Sequence, residues 1–511
     1  MRFNLCLCIY FSLAFILGKA QFTTQWLVGK KISLSSYGYC VSSGPEGNIY
    51  VSGGFVGTYR SPEPTSRGYF LTCYDSQGKE LWHKEYYATI GIAAKNIVTK
   101  SGDVILAGTG LKKFSSAGEL VDEYDKDGVS YADICYDKSS NTILVVGSSV
   151  TKILGNYEFD ETTFIARFDT NLAILNAANF FFDVLFYMQE GYDLTVTDDG
   201  YIYTTGEFGG SIKLSESETI QSAGSLDGYI LKFTPQFDLV WSRSFGGPHS
   251  ECPASITISK KGEIYVIGTY HGMVVAETFS TPVQQGVCDL FMIKYDTDGN
   301  LQWLKSGGGA DQDKVWEMTI DDHDNIFVSG AYDSPGTFVW ESSPIAAKEN
   351  DKGGMFILQL DTDGNPVTWL NAQGGHFKDL ICDNKGNLFA TGACGSKIEL
   401  AGKTLESEGG MLLAKLSYDM TNQVGLQEES FTEDLFHIFP NPGKETFNIS
   451  LSDDLCPDAG IQVYETSGRC ILSKRSIDCD ERNFQCTVPP GLYLVELRSG
   501  SKRQTRKVII Q

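Results

Sequence analysis

A short motif recurs seven times along the chain, and each copy ends in glycine. A turn residue (Gly, Asn or Asp) comes first, and a run of β-branched and aromatic residues follows it. The copies are GNIYVSG, GDVILAG, NTILVVG, GYIYTTG, GEIYVIG, DNIFVSG and GNLFATG, which end at Gly53, Gly108, Gly147, Gly206, Gly268, Gly330 and Gly392. Successive terminal glycines lie 55, 39, 59, 62, 62 and 62 residues apart. Spacing this regular predicts a repeated supersecondary unit.

Each motif has strand-like neighbours on both sides. In the fifth unit a first strand, ASITISKK (254–261), precedes the motif, and a third strand, DLFMIKYDTDGN (289–300), follows it after a loop. A fourth strand comes next in most units, with a tryptophan in its middle, at Trp82, Trp241, Trp303 and Trp369. The strands are almost continuously apolar, as expected when neighbouring sheets cover both faces. The sequence therefore predicts an all-β fold, a seven-bladed β-propeller of four-stranded blades over residues 21–420.

The two ends of the repeat region decide whether such a propeller closes. The seventh unit has a third strand, GMLLAKLSYD (410–419), but no tryptophan strand behind it. A segment with Trp26, TTQWLVGKK, precedes the first unit instead. We expect residues 22–30 to pair beside 411–417 and close the ring, which would remove its exposed edges. The alternative is an open solenoid in which Trp26 has no such partner.

Two consecutive units carry a family resemblance. Residues 245–306 and 307–369 match a pattern of a double glycine, an inner strand, GN-x-Y-V-x-G and D-x-F-x-x-K-Y-D-x-x-G. This pattern resembles the SBBP-type β-propeller repeat, and the resemblance implies the fold only. The second and third repeats depart from the pattern. The second repeat has only 39 residues to the next terminal glycine and contains no tryptophan.

The first twenty residues have the features of a signal peptide. Arg2 is followed by an apolar run from Leu5 to Leu17 and by Gly18-Lys19-Ala20, so cleavage before Gln21 is expected. A membrane anchor needs about 20 apolar residues, and Lys19 ends the run too early. The sequence predicts no membrane span elsewhere.

Charge and cysteine content restrict the partners. The chain has 64 acidic and 41 basic residues, a net charge of -23, which would repel nucleic acid and anionic membranes. Eleven cysteines follow the signal peptide, and only the four between 456 and 486 are clustered enough to suggest a disulfide staple. Their spacing lacks the C-x-x-C pairs of zinc sites.

The chain ends in a segment of different character. A polar linker at 421–434 leads into residues 435–511, where at least four strands predict a small β-sandwich. This tail resembles the type A C-terminal sorting domain of type IX secretion cargo. The matching residues are Pro440, Asn441, Pro442, Tyr464, Gly468, Gly491, Tyr493 and Lys507. The resemblance implies a partner, the type IX secretion machinery, and a secreted or cell-surface location across the outer membrane.

The sequence offers little catalytic or metal chemistry. The segments Asp296–Asn300 and Asp361–Asn365 contain paired aspartates but lack the glycine and glutamate positions of an EF-hand, so they are interpreted as turns, with calcium as a weaker alternative. The same holds for DDHD at 321–324, a predicted loop with His323 exposed. No cofactor and no catalytic residue is predicted, because neither G-x-S-x-G nor a P-loop occurs.

Two hypotheses of function remain. The first is a binding or structural module for an unknown extracellular ligand, a glycan or a protein, held by loops at 54–67, 207–227, 269–288 and 331–352. Its candidate contact residues are Tyr59, Arg60, Tyr270, His271, Tyr332 and Trp340. The second is an extracellular hydrolase or lyase, for which carboxylates converging on the propeller axis with shifted pKa values would be the distinguishing feature.

Overall fold

The computed structural model describes residues 22–418 and 436–510 with short interruptions. The interruptions are residues 34, 58–66, 89–93, 126–128, 150–152, 159–162, 180–192, 215–217, 285, 333–337, 342, 346–353, 384, 445, 452–459, 466–469, 475–482, 490 and 500–501. Every regular element among the described residues is a β-strand. Two compact units divide the chain between Thr421 and Asn422. The predicted signal peptide, 1–20, and the predicted linker, 421–434, lie outside the described residues.

The first unit begins with β1 (Thr23–Lys30) and continues with small antiparallel sheets in chain order. The first sheet contains β2 (Ser35–Ser43), β3 (Ile49–Val56), β4 (Arg67–Tyr74) and β5 (Glu80–Ala88). The second contains β6 (Lys95–Val98), β7 (Val104–Ala107), β8 (Gly110–Phe114) and β9 (Leu120–Asp125). The third contains β10 (Val129–Asp137), β11 (Thr142–Ser149), the separate hairpin β12 (Ile153–Leu154) and β13 (Tyr157–Glu158), β14 (Thr163–Asp169) and β15 (Ile174–Asn179).

The next sheets follow the same order, with a hairpin between the second and third main strands. The fourth contains β16 (Asp193–Val196), β17 (Ile202–Phe208), the hairpin β18 (Ser211–Lys213) and β19 (Thr219–Gln221), β20 (Asp227–Phe233) and β21 (Leu239–Phe245). The fifth contains β22 (Glu251–Ile258), β23 (Ile264–Tyr270), the hairpin β24 (Val275–Ala276) and β25 (Phe279–Ser280), β26 (Asp289–Tyr295) and β27 (Leu301–Gly308).

The last two sheets complete the described part of the first unit. The sixth contains β28 (Asp313–Ile320), β29 (Ile326–Tyr332), the hairpin β30 (Phe338–Trp340) and β31 (Ser343–Ile345), β32 (Gly354–Leu360) and β33 (Pro366–Ala372). The seventh contains β34 (Gly375–Cys382), β35 (Asn387–Cys394), the hairpin β36 (Lys397–Leu400) and β37 (Lys403–Glu406), and β38 (Gly410–Ser417). The all-β fold and its many small sheets are thus as predicted.

The fourth strand of the seventh sheet comes from the start of the chain. β1 pairs antiparallel with β38, with Trp26 opposite Lys415 and Lys30 opposite Met411. The predicted pairing of the Trp26 segment beside 411–417 is confirmed. The first strand of the first sheet, β2, contacts both β6 of the second sheet and β34 of the seventh.

The repeated glycine is explained by a close backbone approach. In five of the sheets the first strand carries a β-bulge, such as the one between Gly38 and Cys40. The bulge brings a backbone carbonyl over the glycine of the second strand, so that a Cβ on Gly53 would lie 1.9 Å from the Tyr37 oxygen and one on Gly392 1.9 Å from the His376 oxygen. No side chain fits there, and glycine is required.

Four tryptophans, Trp26, Trp82, Trp241 and Trp303, each pack a fourth strand against a turn of the next sheet. The Trp82 Nε1–H donates to the Ser116 carbonyl at 2.9 Å, and the Trp26 Nε1–H donates to the Ser76 carbonyl at 3.1 Å. Each ring covers a glycine at positive φ, Gly118 (82°) and Gly78 (80°), where a Cβ would come within 3.0 Å of the ring. The contact from β1 to the first sheet therefore has the same form as the contact between the first and second sheets.

Three of the hairpins that join second to third strands lie against the preceding sheet. β30, inserted in the sixth sheet, pairs with β27 of the fifth, with Gly307 opposite Trp340. In the second sheet this connection shrinks to a tight turn at Gly108 and Thr109, where the Gly108 N–H donates to the Gly110 carbonyl. The absence of a longer connection between β7 and β8 explains why only 39 residues separate Gly108 from the next terminal glycine, Gly147.

The second unit contains β39 (Phe436–Lys444), β40 (Thr446–Leu451), β41 (Gly460–Glu465), β42 (Cys470–Lys474), β43 (Asn483–Thr487), β44 (Gly491–Ser499) and β45 (Lys502–Ile510). β39, β40 and β43 form one antiparallel group, and β42, β41, β44 and β45 form another; a parallel bridge from Gly443 to Ile510 joins the groups. Phe447, Ile449, Val463 and Val495 from both groups are fully buried in one core. Cys486 belongs to this core as a free thiol, so it is not part of a disulfide staple.

Candidate functional site

Seven equivalent positions on the first strands of the seven sheets carry mostly polar residues. Each pairs with the residue just before the terminal glycine, as Cys40 pairs with Ser52 and Asp379 with Thr391. We call this set the polar cluster; its members are Cys40, Lys95, Asp133, Asp193, Ser255, Glu317 and Asp379. The Lys95 Nζ lies 3.9 Å from Asp133 Oδ1 and 3.8 Å from Glu317 Oε2, so residues from the second, third and sixth sheets meet at one point.

The polar cluster links neighbouring sheets by one repeated hydrogen bond. Five of its seven members accept a backbone N–H from the next sheet, always from the residue that follows the equivalent position. The pairs are Cys40 Sγ with Asn96 N (3.3 Å), Asp133 Oδ2 with Leu194 N (3.1 Å), Asp193 Oδ2 with Ile256 N (2.8 Å), Ser255 Oγ with Met318 N (3.3 Å) and Asp379 Oδ2 with Val41 N (2.7 Å). The last pair joins the seventh sheet to the first. Each bond satisfies a backbone N–H group on the first strand of the next sheet, and leaving such a group buried without an acceptor would cost free energy.

Electrostatics in the cluster are dominated by burial and by like charges. Burial and the neighbouring Asp193 raise the pKa of Asp133, and burial and Asp193 likewise raise the pKa of Glu317, although Lys95 opposes both shifts. Burial alone would lower the pKa of Lys95, but Asp133, Glu317 and Asp379 outweigh it and raise the pKa, which keeps the ammonium charged. Lys95 therefore serves as the internal counterion of several carboxyl groups.

A cavity of about 470 Å³ adjoins the first, sixth and seventh sheets, within the size range of small-molecule sites. We call it the aromatic cavity. Its lining consists of Tyr37, Tyr39, Lys314, Trp316, Ala331, Tyr332, Gly354, Gly374, Gly375, His376 and Lys378. Tyr39, Trp316 and Lys378 are the bulge residues that directly precede members of the polar cluster, so the same bulges aim these side chains into the cavity.

The aromatic rings of this cavity are in mutual contact. Tyr37 stacks on His376 with ring centroids 5.7 Å apart, and Trp316 lies 5.4 Å from the same imidazole. The Lys378 Nζ lies 4.3 Å from the centroid of Trp316 and 5.7 Å from that of Tyr39. The result is a set of flat apolar faces with an ammonium group held over them.

A second cavity, of about 580 Å³, lies between the fourth and fifth sheets. It is lined by Ser225, His249, Ser250, His271, Gly272, Val283, Gln284 and Gly286. The His271 Nδ1 lies 2.7 Å from the Val287 carbonyl, which fixes Nδ1 as the protonated nitrogen. This cavity has no aromatic ring besides its two imidazoles.

The structure places the predicted ligand-contact residues in different environments. Tyr332 lines the aromatic cavity, and His271 lines the second cavity. Tyr270 is 1% exposed and its hydroxyl donates to the Pro282 carbonyl; Trp340 is fully buried and its Nε1–H donates to the Gly364 carbonyl. Tyr59 and Arg60 lie outside the described residues. Ligand contact at these positions stays a prediction.

The paired aspartates interpreted as turns use their carboxylates to hold the backbone. Asp296 Oδ1 accepts the N–H groups of Asp298 and Asn300, and Asp361 Oδ1 accepts those of Asp363 and Asn365. Asp321, in the DDHD segment, accepts the N–H of His323 in the same way. Within the described residues no group of three or more His, Cys, Asp or Glu side chains is arranged to hold a metal ion.

The sorting-motif residues belong to the second unit. Pro440, Asn441 and Pro442 lie in β39, Tyr464 in β41, Gly491 and Tyr493 in β44, and Lys507 in β45 opposite Leu494. Gly468 lies outside the described residues. Tyr493 is 4% exposed, and its hydroxyl donates to the Pro489 carbonyl at 2.8 Å, as a core position requires.

The polar cluster was not predicted from the sequence, although the sequence contains a signal for it. Its members lie 13 residues before the terminal glycine in six units and 14 before it in the third. A polar residue or cysteine that recurs at this offset from the glycine would have identified the set. The aromatic cavity had no such signal, because it combines residues from three repeats that are far apart in sequence.

Comparison with known proteins identifies the second unit. Residues 437–511 match the family described as a secretion system C-terminal sorting domain. This domain marks proteins that the type IX secretion system carries across the outer membrane, so the protein is secreted or attached to the cell surface. No helix in the described part of the chain has the length and apolarity to cross a bilayer.

None of the curated proteins matches the sequence. Among solved structures, a crystal structure of Sqt1 from Chaetomium thermophilum is similar at 9% identity over 77% of this chain and 100% of that chain, with a TM-score of 0.38. At that score the likeness supports no statement about fold or function.

Proposed function

We propose that the seven sheets are the blades of a closed seven-bladed β-propeller, built from SBBP-type repeats and followed by a sandwich-like sorting domain. Three contacts between the seventh and first sheets support closure. They are the contact of β34 with β2, the hydrogen bond from the Val41 N–H to Asp379, and the packing of the Trp26 ring on Gly78. Each has a counterpart between sheets that follow one another in sequence.

The function we propose is that of an exported binding module whose ligand occupies the aromatic cavity. The observation that carries this proposal is the convergence of Tyr37, Trp316 and His376 from three sheets on one cavity. Aromatic faces around a cavity of this size are typical of small-molecule and oligosaccharide sites. The signal peptide would start the export route, and the sorting domain would complete it.

Binding can be tested with the purified protein on a glycan array. We expect a defined set of saccharides to be retained, and a variant with Trp316→Ala to lose them while its unfolding midpoint stays within a few degrees of the wild type. Tyr136→Ala, a change in an exposed hydrogen bond to Asn141 away from the cavity, is the control and should leave binding unchanged. Retention that Trp316→Ala leaves intact would contradict the site.

An extracellular hydrolase or lyase is the second candidate, and the polar cluster is the observation that favours it. Carboxyl groups with raised pKa values meet near Lys95, as acid catalysis would need. Their repeated bonds to backbone N–H groups favour a structural role instead. Incubating the protein with the retained saccharides decides between them, because an enzyme would release shorter or unsaturated products, and loss of that release in Glu317→Gln would assign the catalysis to the cluster.

A further inference from the structure

The aromatic cavity differs in charge from the rest of the molecule. The chain contains 64 acidic residues against 41 basic ones, yet the cavity lining contains Lys314, Lys378 and His376 and no Asp or Glu. A basic lining in an acidic protein concentrates positive potential where a ligand would sit. Charge complementarity therefore favours an anionic ligand at this place.

The two lysines present their charge in different ways. Lys378 is partly buried, and its ammonium lies 4.3 Å from the Trp316 ring centroid, which limits its movement. Lys314 is exposed and forms no ion pair with a described carboxylate. Lys314 and Trp316 both lie on β28 and both line the cavity, although the bulge at Trp316 interrupts the regular alternation of side chains between them.

The flat rings restrict the ligand further. Tyr37, Trp316 and His376 contact one another and line the cavity, and the ring surfaces that remain open to it are suited to packing against the polarised C–H groups of a pyranose ring. A small inorganic anion would leave these faces exposed and most of the 470 Å³ unfilled. A nucleic acid would meet a molecule of net charge -23 over a much larger area than the cavity.

We propose that the aromatic cavity binds an acidic saccharide, a short stretch of sugar units that carry carboxylate or sulfate groups. Lys314 and Lys378 contact the anionic groups, and the rings contact the sugar faces. This inference rests on the proposed function, since it names the ligand class of the same site. It adds that charge, and not ring stacking alone, selects the ligand.

The test compares trisaccharide probes of similar size that differ in charge. Titration calorimetry of the full-length protein uses trigalacturonate, its methyl ester, and a sulfated galactotriose. We expect trigalacturonate or the sulfated sugar to bind at least tenfold more tightly than the ester, and the preferred probe to show which anionic group is recognised. The preference should weaken as salt is added, because exposed charges are screened.

Matched variants locate the effect. Lys314→Met and Lys378→Met should each reduce binding of the acidic probe severalfold and reduce binding of the ester much less. Lys260→Met removes an equally exposed lysine that is paired with Asp322 away from the cavity, and should change neither. Unfolding midpoints of the three variants show whether each still folds.

The possible results distinguish a failure of this inference from a failure of the proposed binding function. Equal affinity for the ester and the acid would overturn the acidic-saccharide inference and leave the binding module intact. Binding of none of the three probes, together with an empty glycan array, would overturn both. Acid preference that survives both lysine changes would place the anion site elsewhere and contradict this assignment.

Discussion

The Asp379 carboxylate accepts the Val41 N–H at 2.7 Å across 338 residues of sequence. It is one of five equivalent bonds, so the link between the two ends of the first unit is built like its internal links. Such a bond does not depend on a negative charge, because an amide oxygen accepts equally well from a backbone N–H. A structural role for Asp379 can therefore be separated from a catalytic one.

Asp379→Ala and Asp379→Asn should differ in stability. The alanine variant leaves the buried Val41 N–H without an acceptor, which we expect to cost about 2 kcal/mol of unfolding free energy. The asparagine variant keeps an acceptor oxygen and should recover most of that loss. Urea denaturation of the two variants measures the difference; equal destabilisation would show that the charge, not the hydrogen bond, matters at this position.

Lys95 should contribute more to stability than an exposed lysine does. Removing its ammonium by Lys95→Met leaves Asp133 and Glu317 without their counterion, and we expect a loss of roughly 3 kcal/mol. Lys260→Met, which breaks an exposed pair with Asp322, should change stability by no more than about 0.5 kcal/mol. Chemical denaturation at neutral pH compares the two; similar small effects would contradict the role of Lys95 as counterion.

The packing of the Trp26 ring on Gly78 provides a direct test of whether β1 closes the first unit against its first sheet. Gly78 (φ 80°) and Gly402 (φ 83°) have nearly the same positive φ, but a Cβ on Gly78 would lie 2.9 Å from the Trp26 ring and one on Gly402 would meet nothing within 4 Å. Both Gly→Ala changes carry the left-handed penalty of roughly 1 kcal/mol, and only Gly78→Ala adds an overpacking cost of about 1 to 3 kcal/mol.

Thermal unfolding of these two variants gives the result. A clearly lower midpoint for Gly78→Ala is expected. If the segment that contains Trp26 were detached from the first sheet, the two midpoints would fall by the same amount.

The repeat and the pairing of its ends could be predicted from sequence because both depend on local patterns. The glycine of most motifs and the tryptophan of most fourth strands mark a close approach that a neighbour imposes, as Gly53 under Tyr37 and Gly78 under Trp26 show. Repetition made these requirements visible in one sequence. The number of blades stays a prediction.

The candidate site was harder to predict because its residues are not repeated. Trp316 and Lys378 occupy the bulge position in two sheets, where the third and fifth sheets have Ala132 and Ala254. A bulge shifts the register by one residue and turns a side chain toward a different side, and sequence alternation alone does not reveal it. The predicted loops supply only Ala331 and Tyr332 to the aromatic cavity, and both residues belong to β29.

Glu251 should make stability depend on pH. Burial, with a smaller contribution from Asp227, raises the pKa of Glu251 to about 8, although the Gly247 N–H opposes the shift. Between the unfolded pKa, near 4.3, and the folded value the native state holds a proton that the unfolded state lacks. The free energy of unfolding should therefore fall as pH rises through this window and level off above it.

Denaturation at pH 5, 6, 7 and 8 checks this expectation in matched variants. The stability of Glu251→Gln relative to the wild type should increase steadily with pH, because the amide cannot ionise. Glu408→Gln, at a position whose side chain is 83% exposed, is the control and should show no such trend. A constant difference between Glu251→Gln and the wild type would mean that Glu251 ionises normally.

Export should require the fold of the second unit and not merely its sequence. Tyr493 is buried among Val463, Val495 and Val508, so Tyr493→Asp places a charge in the core and should unfold the domain. Tyr493→Phe loses only the bond to Pro489, worth about 1 kcal/mol, and should be exported. Gln485→Ala, on the exposed side of β43 beside buried Cys486, should also be exported.

The measurement is the distribution of the protein between periplasm and medium or cell surface in a host with the type IX system. Tyr493→Asp and deletion of residues 435–511 should both retain the first unit in the periplasm, and fusion of the second unit behind a signal-bearing reporter should carry that reporter outside. Because the tail is read as a folded domain, the two conservative variants should match the wild type. Secretion of the deleted form would show that export does not depend on this domain, and retention of Gln485→Ala would show that the machinery reads that exposed side of β43 directly.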